Sequence, residues 1–375
     1  MFNQNKSDDF KYLHGPQERI GILLVNLGSP DQPTTRSVRK YLAEFLWDPR
    51  VIEFPRPLWW LILHGIILRF RPRRSAKAYQ KVWTDQGSPL IAISKKQAQA
   101  VEKQLQKQIR GNVLVDVAMR YGKPEIGAGL RGLRKAGAHR LLILPMYPQY
   151  SGTTTASVFD AVTAELRHWR WLPDMRFINS YHDHGGYIEA LAQSIETSWK
   201  ERGETPDRLL FSFHGIPKRY FDNGDPYFCH CQKTARLVAE KLKLEERGQA
   251  WQVVFQSHFG KEEWLKPYCD ETLEKLPGES VKKVDVICPG FSADCLETLE
   301  EIAMENREIF LQAGGEAYHY IPALNDQPTH IKMLCDLIQQ HSFGWPETMP
   351  NWDAGVRAVE AGKTRDRAIK MGAKA

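Results

Sequence analysis

The stretch Leu209-Leu210-Phe211-Ser212-Phe213-His214-Gly215-Ile216-Pro217 joins a continuous apolar run to one polar residue and a Gly/Pro turn. The stretch Ile22-Leu23-Leu24-Val25-Asn26-Leu27-Gly28-Ser29-Pro30 repeats this layout in the first part of the chain. Continuous apolar runs of this length are typical of strands that are buried on both faces of a parallel sheet. The repeat predicts two similarly built halves with a cleft between them.

Apolar runs and helical patterns alternate along the rest of the chain. Strands are predicted at Ile20–Val25, Val113–Ala118, Leu141–Pro145, Met175–Ile178, Leu209–Phe213, Trp251–Phe255 and Val284–Cys288. Helices are predicted at Ser94–Ile109, Tyr187–Lys200, Gln232–Leu242 and Glu297–Ala313. This alternation predicts parallel sheets flanked by helices, so the fold class is α/β with two Rossmann-like domains.

Two of the predicted strands end in groups that can do chemistry. His214 follows the run from Leu209, and Glu297 opens a helix shortly after the run from Val284. Open α/β folds place reactive groups at the carboxyl ends of their strands, so one imidazole and one carboxylate are expected to meet there. A hydrogen-bonded core histidine is the alternative for His214 taken alone.

Length, composition and charge restrict the class of protein. At 375 residues the chain exceeds the usual size of one domain, and a net charge of +6 is too modest to indicate a nucleic-acid partner. No G-x-G-x-x-G or G-x-x-x-x-G-K-[ST] motif follows the strands, which argues against a nucleotide site. No apolar h-region opens the chain, and no run reaches the roughly 18–20 apolar residues of a membrane span, so a cytoplasmic location is expected.

The six cysteines show no spacing typical of a disulfide framework, and free thiols are expected. Cys229-His230-Cys231 is left open as a fragment of a metal or cluster site, although no second cysteine pair lies nearby.

Three segments carry a resemblance to a known family. Ser212-Phe213-His214-Gly215-Ile216-Pro217, Gly224-Asp225-Pro226-Tyr227 and Ser292-Ala293-Asp294-Cys295-Leu296-Glu297-Thr298-Leu299 resemble the signature segments of the ferrochelatases, in the right order. The resemblance extends from about Gly21 to about His341. It implies a lyase that inserts ferrous iron into protoporphyrin IX to form protohaem, the terminal step of haem synthesis. The expected domains are 19–140 with an apolar porphyrin lip at about 57–77, 141–345 with the metal site, and a basic tail at 346–375.

The resemblance implies that His214 and Glu297 are iron ligands and proton acceptors. A neutral imidazole suits proton removal near pH 7, and oxygen and nitrogen ligands suit a labile ferrous ion. Glu301 and Glu305 follow Glu297 at i+4 and i+8, which places three carboxylates along one helix face and predicts a route for the metal. A solvated acidic helix face is the alternative. Some family members carry a histidine where this chain has Cys295.

Porphyrin contacts are expected on a lip and on loops after strands. The run from Leu58 to Phe70 is apolar, and a basic edge of Arg71, Arg73 and Arg74 follows it directly, with Arg73 and Arg74 as candidate partners of the propionates. Arg120, Tyr121, Tyr147, Tyr150, Ser151, Trp264 and Phe291 are the further candidate contacts. The lip also predicts peripheral contact with a membrane surface.

Protoporphyrin and ferrous iron are the expected partners, with no tightly bound cofactor. An iron–sulfur cluster is not expected, because only Cys335 lies where animal relatives carry their C-terminal cysteine cluster. The oligomeric state is left open, with a monomer as one expectation. A cobalt chelatase of corrin synthesis and a non-enzymatic haem or porphyrin carrier are the alternatives. The carboxylate series argues against a carrier, which needs no path for a hydrated metal.

Overall fold

The computed structural model describes residue 15 and residues 18–260 and 262–373. Its strands form two parallel sheets, and each sheet has the same order of strands. The predicted α/β fold class is confirmed.

The first sheet consists of four parallel strands in the order β2-β1-β3-β4. The strands are β1 (Arg19–Ser29), β2 (Asn112–Gly122), β3 (Ala138–Pro145) and β4 (Asp174–Phe177). β1 lies between β2 and β3, and its residues from Ile20 to Val25 are fully buried, as its continuous apolar sequence predicts.

The second sheet repeats this arrangement in the order β6-β5-β7-β8. Its strands are β5 (Arg208–His214), β6 (Ala250–Gln256), β7 (Lys283–Ile287) and β8 (Ala317–Ile321). The central strands β1 and β5 are the two stretches whose shared layout predicts similar halves. β8 is the one strand of the described residues that the apolar pattern does not predict, because Ala-Tyr-His-Tyr-Ile has no continuous aliphatic run.

Helices connect the strands and cover both sheets. In the first half they are α1 (Thr35–Trp47), α2 (Arg56–Ile62), α3 (Leu68–Val82), α4 (Pro89–Gln108), α5 (Ile126–Lys135) and α6 (Ser157–Leu166). They continue with α7 (Gly185–Arg202), α8 (Lys218–Asp222), α9 (Tyr227–Leu242), α10 (Cys269–Lys275), α11 (Arg307–Gln312), α12 (Pro328–Ser342) and α13 (Ala354–Lys370). Three π-helical segments lie at Leu63–Ile67, Gly152–Ala156 and Glu297–Asn306, and two 3-10 turns at Leu276–Glu279 and Pro346–Thr348 complete the helical elements of the described residues.

The predicted domain boundary between residues 140 and 141 is wrong, because it falls inside β3. β3 pairs with β1, and β4 pairs with β3, so the first sheet continues to Phe177. The two halves are also not packed separately. A single cluster of buried residues includes side chains of both sheets, and α12 packs on α4 and α7.

The predicted lip forms one continuous helical segment, made of α2, the π-helical turn Leu63–Ile67 and α3. One side packs inward through Trp59, Leu63 and Leu68. The other side exposes the large apolar side chains Leu58, Trp60, Leu61, Ile66 and Phe70.

The basic tail forms α13, and no residue of this helix is buried. Its first turn is capped by Asp353, whose carboxylate accepts a hydrogen bond from the Val356 N–H at 2.9 Å. In the described part of the chain, no helix has both the length and the apolar character needed to cross a membrane.

Candidate active site at the strand ends

His214 is the last residue of β5, where the strand meets the loop that begins with Gly215. Its Nδ1 lies 2.6 Å from the Gly215 carbonyl oxygen, which can only accept a hydrogen bond. Nδ1 therefore carries the proton, and the lone pair of Nε2 remains available. Burial lowers the pKa of His214 below its ordinary value, although the nearby Glu297 carboxylate raises it in part. The imidazole is thus neutral near pH 7 and can accept a proton or bind a metal.

Glu297 begins the π helix Glu297–Asn306, which follows β7. Its carboxylate acts electrostatically on His214, on Tyr147 and on Arg71, so these groups surround one site. The structure therefore brings together the imidazole and the carboxylate of the two neighbouring strand ends, as the sequence predicts.

Asp294 fixes the segment that leads into this π helix. Its carboxylate accepts hydrogen bonds from Thr298 Oγ1 at 3.0 Å, Tyr320 Oη at 2.6 Å and Asn325 Nδ2 at 2.7 Å. These donors come from the π helix, from β8 and from the loop before α12. A buried carboxylate with several donors holds its surroundings in one arrangement. Here it fixes the position at which the π helix begins, and so the position of Glu297.

Glu301 and Glu305 continue from Glu297 along the π helix. Glu301 is half-buried, and burial raises its pKa to about 7, while hydrogen bonds from Ser257 act in the opposite direction. Glu305 is exposed at the outer end of the series, and partial burial beside Glu300 raises its pKa as well. Within the described residues, no three His, Cys, Asp or Glu side chains converge on one metal position. Glu297, Glu301 and Glu305 therefore follow one another along the π helix without forming a closed cage in the described part of the chain.

The lip contributes Arg71 to the site. Arg71 is accessible to solvent, yet desolvation by the surrounding protein lowers its pKa, while Glu297 raises it in part. Arg71 is therefore open to solvent on one side and close to protein on the others, as in a concave site. Its guanidinium is 5.1 Å from the centroid of the Phe259 ring. Arg73 and Arg74, the two predicted candidates, are exposed, and Arg73 has no described contact with Glu297.

Arg120 and Tyr121 lie in a buried network beneath the lip. Arg120 Nη2 and Tyr121 Oη both donate to Asp48 Oδ2, at 2.5 and 2.8 Å. Ser157 Oγ donates to the same oxygen at 2.6 Å. Tyr121 is only 1% exposed, so it does not line an open surface. The structure places both residues in support of the connection after α1, and their role as direct porphyrin contacts stays a prediction.

The loop after β3 carries the next three predicted contacts. Tyr147 is half-buried with a hydroxyl that has no partner, and burial raises its pKa well above the ordinary value. The Tyr150 N–H donates to His230 Nδ1 at 3.1 Å, and Ser151 Oγ donates to Asp225 Oδ2 at 2.9 Å. Of these three residues, Tyr147 lies within electrostatic range of Glu297, whereas Tyr150 and Ser151 attach the loop to the second half.

Trp264 packs directly beside Gly215, the residue that follows His214. A side chain at Gly215 would bring its Cβ to 3.2 Å from Trp264 Cε3, so this glycine allows the close approach. The indole of Trp264 lies 4.7 Å from the Phe259 ring between centroids, and its Nε1 has no partner. Phe291 is half-buried and packs against Cys295 and Leu90 on the other side of the π-helix start.

The Cys229-His230-Cys231 segment lies at the start of α9. Cys229 is exposed and Cys231 is buried, so the two thiols point to different environments. The ring of His230 stacks on His182 at 3.6 Å, and its Nδ1 accepts from Tyr150. These contacts use His230 to hold the Tyr150 loop, and this accounts for the histidine without a metal.

A separate groove of about 790 Å³ lies along α9 and the start of β6, lined by Phe228, Gln232 and Trp251 among others. None of the predicted site residues lines it. The candidate catalytic groups His214 and Glu297 therefore lie outside this groove.

One residue of the site, Ser257, is missed from the sequence, and Arg71 is recognised there only as part of the basic edge of the lip. Arg71 is exposed, as Arg73 is, but its guanidinium reaches the Phe259 ring and lies within electrostatic range of Glu297, and nothing in the local sequence separates it from Arg73. Ser257 contacts Glu301, but nothing in its sequence neighbourhood indicates this contact.

The chain is similar to known proteins over most of its length. Residues 19–342 match the family model described as Ferrochelatase. The ferrochelatase of Thioalkalivibrio sulfidiphilus is 56% identical over 363 residues, which cover 97% of this chain and 98% of that protein. The ferrochelatase of Nitrosococcus oceani is 54% identical over 363 residues, with coverage of 97% and 98%.

A solved structure gives independent support for the fold. SirB from Bacillus subtilis, solved with Fe³⁺, superimposes with a TM-score of 0.51 at 10% identity and covers 87% of this chain and 96% of that chain. At this identity the likeness concerns the fold alone. The family model and the curated relatives both extend across nearly the whole chain, and the chain therefore belongs to the ferrochelatase family.

Proposed function

We propose that this enzyme inserts ferrous iron into protoporphyrin IX and releases protohaem, the terminal step of haem synthesis. The family is one of metal chelatases, which are lyases. The observation that carries the proposal is the pairing of a neutral His214, with a free Nε2, and the Glu297 carboxylate at adjacent strand ends.

The reaction exchanges two pyrrolic protons for one metal ion. In the proposal His214 Nε2 and Glu297 accept these protons or bind the iron as it reaches the ring. The imidazole is suited to this because burial keeps it neutral near pH 7. How His214 divides its two roles is an outcome for experiment.

The carboxylates along the π helix supply the iron route. Glu305 is exposed and Glu301 is half-buried, so the series leads from solvent toward Glu297. Oxygen ligands exchange ferrous iron more readily than thiolates, which suits transfer along a path. The buried Cys295 lies beside Glu297 and is kept protonated, because burial raises its pKa well above the ordinary value.

The porphyrin site is proposed between the lip and the second half. Arg71 would pair with a negatively charged group, while the exposed Phe259, which packs on the buried Trp264, offers aromatic surface to a flat ring. Arg73 and Arg74 remain candidates for the propionates at the exposed edge.

The exposed face of the lip is proposed to rest on a membrane surface, where an apolar porphyrin partitions. Trp60, Leu61 and Phe70 are exposed beside the basic Arg69 and Arg73. Apolar side chains with flanking cations are the combination that binds the interface of an anionic bilayer. The enzyme would then act at the cytoplasmic face of the membrane.

The test is an anaerobic assay of the purified protein with protoporphyrin and ferrous iron, followed through the porphyrin spectrum. His214→Ala and Glu297→Gln are compared with the exposed controls His168→Ala and Glu279→Gln. We expect metallation to be lost in the first pair and kept in the second. Tight porphyrin binding without metallation above the protein-free rate would make the protein a carrier.

A further inference from the structure

The end of β6 carries a polar pair, Gln256 and Ser257, that contacts the carboxylate series. The Ser257 N–H donates to Glu301 Oε1 at 2.7 Å, and the Ser257 hydroxyl donates to Glu301 Oε2. Both oxygens of one carboxylate are therefore held by one residue of another element. A carboxylate that is held at both oxygens keeps one orientation.

Gln256 ties the same region to the strand that carries His214. It is 2% exposed, and its Oε1 accepts a hydrogen bond from Ser212 Oγ on β5 at 2.9 Å. Its Nε2 donates to the Glu297 carbonyl at 3.0 Å and approaches Glu301 Oε2 at 3.4 Å. One buried amide thus sets the distance between β5 and the first turn of the π helix.

The backbone of Ser257 adds a separate argument. Its φ is +66°, which lies in the left-handed region that glycine adopts at little cost and other residues adopt at a free-energy penalty. A serine in such a position is explained if its hydroxyl, which glycine lacks, makes a stabilising contact. The hydrogen bond from the Ser257 hydroxyl to the Glu301 carboxylate is such a contact.

We propose that Ser257 and Gln256 are positioning residues that hold the Glu301 carboxylate and the start of the π helix in the orientation that passes iron toward Glu297. This rests on the function proposed above and adds the residues that set the geometry of its metal route. Neither residue is proposed to bind the ring or to take a proton from it.

Two substitutions of Ser257 separate the hydroxyl from the backbone. Ser257→Ala removes the hydroxyl and keeps the backbone penalty, whereas Ser257→Gly removes the hydroxyl and relieves the penalty. Both keep the N–H. We expect each to raise the KM for ferrous iron roughly tenfold, the effect of losing a hydrogen bond to a charged group, with the KM for protoporphyrin unchanged. Gln256→Met is also expected to raise the KM for ferrous iron.

Ser280 provides the matched control. It is also a left-handed serine, with a φ of +65°, but it is exposed at the end of the 3-10 turn Leu276–Glu279. Ser280→Ala and Ser280→Gly are expected to leave both KM values unchanged. In a Glu301→Gln background, Ser257→Ala should change the KM for iron less than about twofold, because the group it positions has already been altered.

Iron KM values within about twofold of wild type in both Ser257 variants would overturn the positioning role, and so would an equal rise for iron and porphyrin. An undiminished effect of Ser257→Ala in the Glu301→Gln background would overturn it as well. A wild-type protein that binds porphyrin but does not metallate it would instead overturn the proposed function, so the two failures are distinguishable.

Discussion

Lys81 of α3 donates a 2.6 Å hydrogen bond to Glu300 Oε1 of the π helix and so joins the lip to the metal-site helix. The Glu300 side chain is 9% exposed, whereas that of Lys81 is 51% exposed. The carboxylate is therefore the buried partner, and the lysine reaches it from solvent.

Lys81→Met should leave the Glu300 carboxylate buried without its partner. We expect the free energy of unfolding to fall by about 1–2 kcal/mol in denaturant titrations, the cost of an unsatisfied buried acceptor. Lys77→Met, one turn earlier on an exposed position of α3, is the control and should change it little. Glu300→Gln added to Lys81→Met should recover part of the loss. Equal stability of the two lysine variants would contradict the role given to this pair.

Arg71 and Arg73 distinguish the structure from the sequence-based prediction. Arg71→Met should raise the KM for protoporphyrin about tenfold or lower the rate of metallation comparably, because its charge lies beside Glu297. Arg73→Met should change either value less than about twofold, because Arg73 has no described contact with Glu297 or Phe259 and its exposed charge is screened by solvent. The reverse ranking of the two variants would show that the propionates bind at the outer edge.

Asp48 is expected to be the most sensitive charged residue below the lip. Burial alone would raise its pKa, but hydrogen bonds from Ser157 and the Arg50 N–H, with the Arg120 charge, lower it. Asp48→Asn should cost about 2–3 kcal/mol at pH 7, because the Arg120 charge is left without its buried partner. Asp160→Asn, which breaks an exposed pair with Arg50, should cost less than about 1 kcal/mol. Similar losses for the two variants in thermal or denaturant unfolding would refute this ranking.

His330 predicts a loss of stability in acid. Burial lowers its pKa from an ordinary 6.5 to about 4. Between these values the unfolded chain binds a proton that the folded protein does not, so the free energy of unfolding falls as the pH drops through this window. The loss from this residue alone is up to about 3 kcal/mol. The His330→Gln variant should lack this acid-induced fall in the free energy of unfolding, whereas the exposed control His168→Gln should retain it. A stability difference between His330→Gln and wild type that stays constant from about pH 7.5 to about pH 4.5 would rule it out.

The lip predicts binding to lipid vesicles. Replacing Trp60 and Phe70 by serine should weaken sedimentation with vesicles that contain anionic lipid by about tenfold or more, because each aromatic side chain removes a large apolar area from water. Phe343→Ser is the control, since Phe343 is as exposed as Phe70, at 75% against 73%, but lies after α12. Equal binding of the lip variant and wild type would show that the apolar face serves another contact.

The fold is predictable from the sequence where burial is continuous. β1 and β5 are buried on both faces, so their apolar runs indicate strands, the parallel arrangement and the internal repeat. β8 is missed because it pairs only with β7, and an edge strand tolerates polar residues such as His319. The domain boundary is misplaced because β3 pairs with β1, which lies more than one hundred residues earlier, and β4 then pairs with β3, and a linear pattern does not show which strands pair.

The site is predictable only in part, for a related reason. His214 and Glu297 follow apolar runs, so their position at strand ends can be read from local sequence. The contact of Ser257 with Glu301 depends on how β6 and the π helix pack together. Arg71 is one of four exposed arginines from Arg69 to Arg74, and the local sequence does not show which of them approaches Glu297.

The packing of α12 has a consequence for synthesis on the ribosome. The four strands of the first sheet are complete once residue 177 has been made, yet α12, at Pro328–Ser342, packs on α4 and contributes to the cluster that contains Ile22. The Gln339 amide also donates to Gln108 Oε1 at 2.7 Å. The early half therefore keeps an uncovered apolar surface until the chain has grown by about another 150 residues, which at bacterial elongation rates is on the order of ten seconds. Chaperones that bind apolar surfaces have that interval in which to act on the nascent chain.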